Sequence, residues 1–303
     1  MKPYFEHDGI TLYHGRAEEV LPQLPESVDL IATSPPYNCR KEYHGFKDQM
    51  AWPEYYEWAG KVLDECYARL CVGGVLALNV PGVVRWQAEH EFAETWGDFD
   101  PKYNTHRNGE KVIGKGRIEP IGFRLFDMMQ RRDRHMREPI VWVKGSEGNA
   151  ICSDYRMGCD SDPYMRPAHE LILLGSKAQW FHRGGTGRRG GDAVPFLDAT
   201  KDVWFVTPER DGNHPAVFPV EIPDRLIRLF THASDAVVCD PFAGRGSTLI
   251  AAKQRGRQAV GIEISELYCR RIVDRFSQLG LFNEQAATMT LRNGSNSENS
   301  TVP

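Results

Sequence analysis

Apolar residues recur along the chain with two periods, and the switch between them marks out its elements. Residues 28–33 (VDLIAT) form an apolar run that ends before a proline pair, as expected for a strand buried on both faces. From Trp52 to Leu70, apolar residues fall at 52, 55, 59, 62, 63, 66 and 70, one helical stripe that Gly73-Gly74 is expected to close. Residues 75–80 then read as a second buried strand. Strand, helix and strand joined by short connections predict a right-handed parallel unit.

The same reading predicts strands at 10–14, 140–143, 170–174 and 203–206, and helices at 121–132 and 223–230. A second clear unit closes the chain. It consists of a strand at 236–240, a glycine turn, a helix to Arg255 ended by Gly256, and a strand at 259–263. A further helix is capped by Ser265 and runs to Gly280. Alternating strands and helices predict an α/β fold with a doubly wound, mostly parallel, Rossmann-like sheet, whose ligands sit beyond the C-terminal strand ends. Residues 81–120 and 178–208 fit no clean period and read as inserted segments within one domain over 1–282. The polar tail 283–303, low in aromatics, is expected to be disordered.

Composition adds little until its distribution is considered. The 303 residues are 41% hydrophobic and 26% charged, without an apolar run long enough to span a bilayer or an apolar signal core at the start, so a cytoplasmic protein is expected. Seven cysteines (39, 66, 71, 152, 159, 239 and 269) form no CxxC pair, which argues against a disulfide framework. Cys152, Cys159 and His169 lack paired ligand spacing, and no metal is expected. Net charge is −4, yet residues 102–147 hold eleven Lys/Arg against six Asp/Glu, and a second basic stretch carries Arg188-Arg189 among glycines. A basic face on an acidic remainder is compatible with nucleic acid.

Two motifs lie at predicted strand ends. In Val237-Val-Cys-Asp240-Pro-Phe242-Ala-Gly244-Arg-Gly246-Ser-Thr248, a glycine turn joins strand to helix, where backbone can approach a ligand and helix N–H groups are unpaired. Glu263 ends the next strand, where a carboxylate can accept from both hydroxyls of a ribose. Leu249 stands at the third position of the dinucleotide fingerprint, and Asp240 would disfavour a pyrophosphate. Both argue against a nicotinamide oxidoreductase. A carboxylate there favours a cationic group such as the methionine ammonium of S-adenosylmethionine.

The second motif, Thr33-Ser34-Pro35-Pro36-Tyr37-Asn38, follows the first buried strand. Its prolines fix φ and remove N–H donors, leaving carbonyls and flanking side chains to face a ligand. A base amine conjugated to its ring is a poor nucleophile. Accepting its hydrogens on the Ser34 hydroxyl and the Pro35 carbonyl would localise the lone pair, and Tyr37 could stack on a base taken out of the duplex.

The TSPPYN stretch resembles the catalytic motif of amino-directed DNA methyltransferases, and DPFAGRGST resembles their cofactor motif. The resemblance extends through His14-Gly15 to Leu24, Tyr43, Trp52 to Trp58, Trp142-Val-Lys144, His169-Glu170-Leu-Ile-Leu and His214-Pro215-Ala-Val-Phe218. With the catalytic motif first and the cofactor motif last, the order matches the permuted beta class. The resemblance implies catalysis by Ser34, Pro35, Pro36 and Tyr37. It implies S-adenosyl-L-methionine held by Asp240, Phe242, Gly244, Gly246 and Glu263, with His214, Pro215 and Phe218 at its methionine end. It further implies double-stranded DNA contacted through Arg188, Arg189, Asn38, Tyr43 and the two inserted segments. A cognate restriction endonuclease and a homodimer are compatible with it. Two residues depart from the pattern: Arg16 stands where an acid is common, and Arg245 stands between the glycines. Ring-carbon chemistry would need a Pro-Cys nucleophile, which is absent. Because serine heads the tetrad, the expected target is N4 of cytosine, with N6 of adenine as the alternative.

Overall fold

The computed structural model describes residues 1–39, 42–43, 46–86, 106–107, 110–111, 117–131, 135–151, 167–180, 182–185, 198–209 and 218–281. Arg188, Arg189, His214, Pro215, Cys152, Cys159, the side chain of Tyr43, the tail 283–303 and most of both inserted segments lie outside the described residues.

Among the described residues, ten strands share one sheet. Its principal strands are β1 (Phe5–His7), β2 (Ile10–His14), β3 (Val28–Thr33), β4 (Leu70–Val80), β5 (His135–Ser146), β6 (His169–Ser176), β7 (Val203–Val206), β8 (Val237–Asp240) and β9 (Gln258–Glu263). Their order is β1-β2-β9-β8-β3-β4-β6-β5, with β7 and the short strand Asn149–Ala150 both pairing with β5. From β2 through β9, β8 and β3 to β4, every neighbour is parallel. β4, β6 and β5 alternate in direction.

The helices are α1 (Ala17–Val20), α2 (Trp52–Arg69), α3 (Ile121–Gln130), α4 (Glu221–Phe230), α5 (Ser247–Gln254) and α6 (Glu266–Gln278). Strand side chains alternate between the two sheet faces, and so do the two apolar cores. Leu30, Ala32, Val75 and Ala77 pack with α4, α5 and α6, whereas Ile31, Leu76 and Leu78 pack with α1, α2 and α3. This is why strands 28–33 and 75–80 read as continuous apolar runs. Gly261 sits where the layers press closest: a Cβ there would lie 2.7 Å from Leu249 Cδ2.

Three local expectations are corrected. The α2 stripe ends at Arg69, and Leu70 is already extended, so Gly73-Gly74 lies inside β4 and does not cap the helix. Gly74 presses on β3, where a Cβ would meet the Val28 carbonyl at 2.8 Å, and the β3–β4 register shifts there. β5 spans His135–Ser146 rather than 140–143, with a register shift between Arg137 and Ile140, where Pro139 cannot donate to the ladder. The parallel arrangement stops at β4, because β5 pairs directly with β6 in the antiparallel sense.

The winding reverses between β3 and β8. From β3 the chain crosses by α2 to β4 on one side, and from β8 it crosses by α5 to β9 on the other. A crevice opens beyond the strand ends at such a switch point. Both sequence motifs emerge there. No helix among the described residues is long and apolar enough to cross a membrane.

Candidate active site

Parallel pairing of β3, β8 and β9 brings three strand ends together. Thr33, the last residue of β3, donates its hydroxyl to Asp240 Oδ1 at the end of β8, 2.6 Å away. That bond joins motifs 207 positions apart. An open cleft of about 990 Å³ lies over it. Ser34, Pro35, Pro36, Tyr37 and Trp58 line one side, and Asp240, Phe242, Gly244, Glu263 and Phe218 line the other.

The glycine turn takes its shape from backbone bonds. Gly246 has φ 76°, a region that side-chain-bearing residues rarely adopt, and a Cβ there would stand 3.0 Å from Ile272 Cγ2 on α6. Asp240 Oδ1 also accepts from Phe242 N at 3.1 Å. Glu263 holds two loops at once: Oε2 accepts from Gly244 N at 2.8 Å and Oε1 from Ser265 N at 2.9 Å. A carboxylate has about four acceptor sites, so lone pairs remain for ligand hydroxyls. Burial pushes both carboxyls up, Asp240 from 3.8 to about 6 and Glu263 from 4.5 to about 7. Both are therefore poised to ionise when a cationic or hydroxylated ligand arrives.

The proline loop is held from behind. Asn38 has φ 55°, a conformation asparagine tolerates better than most residues. Its backbone N–H donates to buried Asp48, and its side chain exchanges two hydrogen bonds with the Met50 backbone, at 2.6 and 2.9 Å. Asn38 was expected to contact DNA, but its amide is buried and committed to its own loop, so it shapes the loop instead. Tyr55 on α2 donates to the Pro36 carbonyl at 2.8 Å.

Tyr37 departs from the expected free stacking platform. It lines the cleft but is only 6% exposed, and its hydroxyl lies 2.5 Å from Ser34 Oγ, 2.8 Å from Asn79 Nδ2 and 3.2 Å from Glu170 Oε2. Asn79 also donates to Glu170 Oε2 at 2.7 Å, and Lys144 pairs with Glu170 Oε1. Sequence reasoning gave no role to Thr33, Asn79, Lys144 or Glu170. The available signal was a polar residue inside an apolar strand run, in VLALNV and in HELILL, because an interior polar group persists only with a partner. Arg16, where an acid was anticipated, lines the cleft and donates to Glu18 Oε1 at 2.8 Å, so an acidic group two residues on faces the same space.

A family profile described as DNA methylase, of the N6/N4 methyltransferase type, matches residues 28–274. The chain belongs to this family. It is 44% identical to YubD of Escherichia coli (strain K12) over 265 residues, 86% of this chain and 87% of that protein. It is 28% identical to the type II methyltransferase M.ScaI of Streptomyces caespitosus, over 90% of this chain and 83% of that one. Among solved structures it superposes on the S-adenosyl-L-methionine complex of TTHA0409, a DNA modification methylase of Thermus thermophilus, with a TM-score of 0.61 and 25% identity, covering 88% of this chain and 93% of that one. The protein is thus an S-adenosyl-L-methionine-dependent DNA methyltransferase of the amino-directed type. The cleft suits that cofactor: two buried carboxylates face it across walls made by Phe242, Phe218, Ile262 and Tyr268.

No thiol in the described part of this methylase is set up as a nucleophile on ring carbon. Burial pushes Cys66 up to about 12 and Cys239 well above its ordinary value, and Cys269 and Cys71 are also raised. Among the described residues no group of three or more His, Cys, Asp and Glu could hold a metal ion.

Proposed function

We propose that this methylase transfers the methyl group to the exocyclic N4 of a cytosine flipped out of double-stranded DNA. The observation that carries the reading is Ser34. The group heading the catalytic loop is a neutral hydroxyl that lines the cleft beside Asp240. A hydroxyl accepts one amine hydrogen without placing a charge against the O2 and N3 acceptors of cytosine, whereas a carboxylate there would be repelled by them. The Pro35 carbonyl accepts the second hydrogen, and the amine lone pair then attacks directly, with no covalent enzyme intermediate. Digesting methylated DNA to nucleosides and weighing the products tests this. N4-methylcytosine is the expected product, and N6-methyladenine alone would overturn the reading.

In this reading S-adenosyl-L-methionine supplies an electrophilic methyl group. Asp240 receives its ammonium, and Glu263 receives its ribose hydroxyls. Gly244 and Gly246 let the backbone approach, and Phe242, His214, Pro215 and Phe218 close around it. Arg188 and Arg189, with Tyr43 and the two inserted segments, supply phosphate contacts that position the duplex. The resemblance to M.ScaI supports a cognate restriction endonuclease, and a homodimer in the cytoplasm is compatible with the reading.

The raised carboxyls give a pH dependence of definite sign. Each group's folded value lies above its ordinary one, so its contribution to stability is present below about pH 4 and lost as pH rises through about 6 for Asp240 and about 7 for Glu263. Cofactor binding needs both ionised, so it releases protons, and affinity should fall as pH drops from about 7.5 to about 5.5. Titration calorimetry in buffers of different ionisation enthalpy should show that release near pH 6. Affinity that is flat over this range would remove both carboxylates from the cofactor site.

A further inference from the structure

The buried polar chain behind Ser34 has a direction, and direction is what a proton path needs. The Asn79 amide nitrogen can only donate, and it does so to both the Tyr37 oxygen and Glu170 Oε2. The Glu170 carboxylate can only accept, so the Tyr37 hydroxyl hydrogen points to it, across 3.2 Å. The Tyr37 oxygen is then left to accept from Ser34 across 2.5 Å. This pattern turns the Ser34 hydrogen inward and presents its lone pairs to the cleft that Ser34 lines.

We propose that Glu170 is the end of a proton relay, Ser34 to Tyr37 to Glu170, that removes the proton the target amine must lose. The proposal rests on the reading that Ser34 receives that amine, and it holds equally for cytosine and adenine. Once the nitrogen has formed its bond to the methyl carbon it carries a positive charge and one hydrogen too many. That proton passes to Ser34 Oγ as the Ser34 proton passes to the Tyr37 oxygen and the Tyr37 proton to Glu170 Oε2. One N–H bond is lost and one carboxyl O–H bond is gained. Neither hydroxyl changes its total of hydrogens, and nothing is oxidised or reduced. Water then takes the proton from Glu170 and resets the path.

Two observations favour a path over a purely structural knot. A buried ion pair such as Lys144–Glu170 is a weak source of stability, because desolvation offsets its attraction, yet this one is placed in line with the hydroxyl at the head of the catalytic loop. Asp240, the carboxylate beside Ser34 in the cleft, is already engaged by Thr33 and by Phe242 N. Tyr37 and Glu170 therefore offer the outlet that does not compete with the cofactor.

Single-turnover methyl transfer in mixtures of light and heavy water, over a range of pH, tests the relay. The wild-type protein should show a curved dependence on deuterium fraction, as several protons move together. Glu170→Gln keeps the shape but removes the acceptor, so its rate should fall about a hundredfold. The curvature should vanish, and the remaining rate should climb with pH as hydroxide replaces the carboxylate. Cofactor affinity by calorimetry and Tm should stay at wild-type values. Because the neutral amide of Glu170→Gln would leave the Lys144 charge without its carboxylate, Tyr37→Phe serves as a second variant. It breaks the path without stranding a charge, and it should behave alike. Full activity in both variants beside an inactive Ser34→Ala overturns the relay alone, whereas full activity of Ser34→Ala overturns the underlying reading of the amine site. A slowed Glu170→Gln or Tyr37→Phe that keeps the wild-type curvature also overturns the relay, leaving Glu170 as a support for Ser34.

Discussion

Ser34→Ala should leave S-adenosyl-L-methionine affinity within about twofold of wild type while the rate of methyl transfer falls about a hundredfold or more, the size expected when a positioned proton-handling group is lost. The separation follows from the geometry. Ser34 Oγ lies with Tyr37 and Asn79, on the side of the cleft facing away from the Glu263 clasp. Removing it takes away the acceptor that localises the amine lone pair and leaves the glycine turn untouched. Tyr37→Ala should be at least as damaging to turnover. Part of its effect would be structural, because Tyr37 is buried and aromatic-to-alanine changes in a core cost roughly 3–5 kcal/mol. Rapid-quench kinetics with a parallel calorimetric titration would separate these effects. A Ser34→Ala protein that turns over at the wild-type rate would mean that the catalytic loop has been misread.

Glu263→Ala should act on the other half of the reaction, weakening S-adenosyl-L-methionine binding roughly ten- to a hundredfold through the loss of charge-assisted hydrogen bonds of ~1.5–3 kcal/mol. Two mechanisms add at this position. The ribose would lose its acceptor, and the N–H groups of Gly244 and Ser265 would lose theirs, so the glycine turn and the α6 N-terminus would both loosen. Glu263→Gln separates them. An amide keeps one acceptor oxygen but turns two N–H donors toward a backbone N–H, so it should restore little of the affinity. Calorimetry near neutral pH measures both variants, and wild-type affinity in Glu263→Ala would exclude this carboxylate from the cofactor site.

Much of the layered architecture was legible in the chain. The apolar period separates helices from strands cleanly wherever an element is buried on one stripe or on both faces, as in 28–33, 52–70 and 259–263. The two motifs could also be placed, since each follows a buried strand and a parallel sheet puts its ligands at such ends. What failed locally failed for tertiary reasons. Gly73-Gly74 looks like a helix stop, but the pair serves the close approach of β4 to the Val28 carbonyl. The reversal of direction after β4 depends on which strand β5 joins, and no single strand's pattern records that choice.

The sequence by itself determined the elements, the pair of motifs and the chemistry each can offer, because these depend on residues close together in the chain. Tertiary structure alone decided how the two motifs meet, through a Thr33–Asp240 bond between strands that pair only in the folded sheet. It also decided which polar residues matter. Asn38 looks like a surface contact in sequence but is consumed by its own loop, whereas Asn79, Lys144 and Glu170, spread over 91 positions on three strands, converge behind one hydroxyl. The physical reason is that hydrogen-bond partners in a sheet protein are set by strand order and register, and both are settled when the whole core packs.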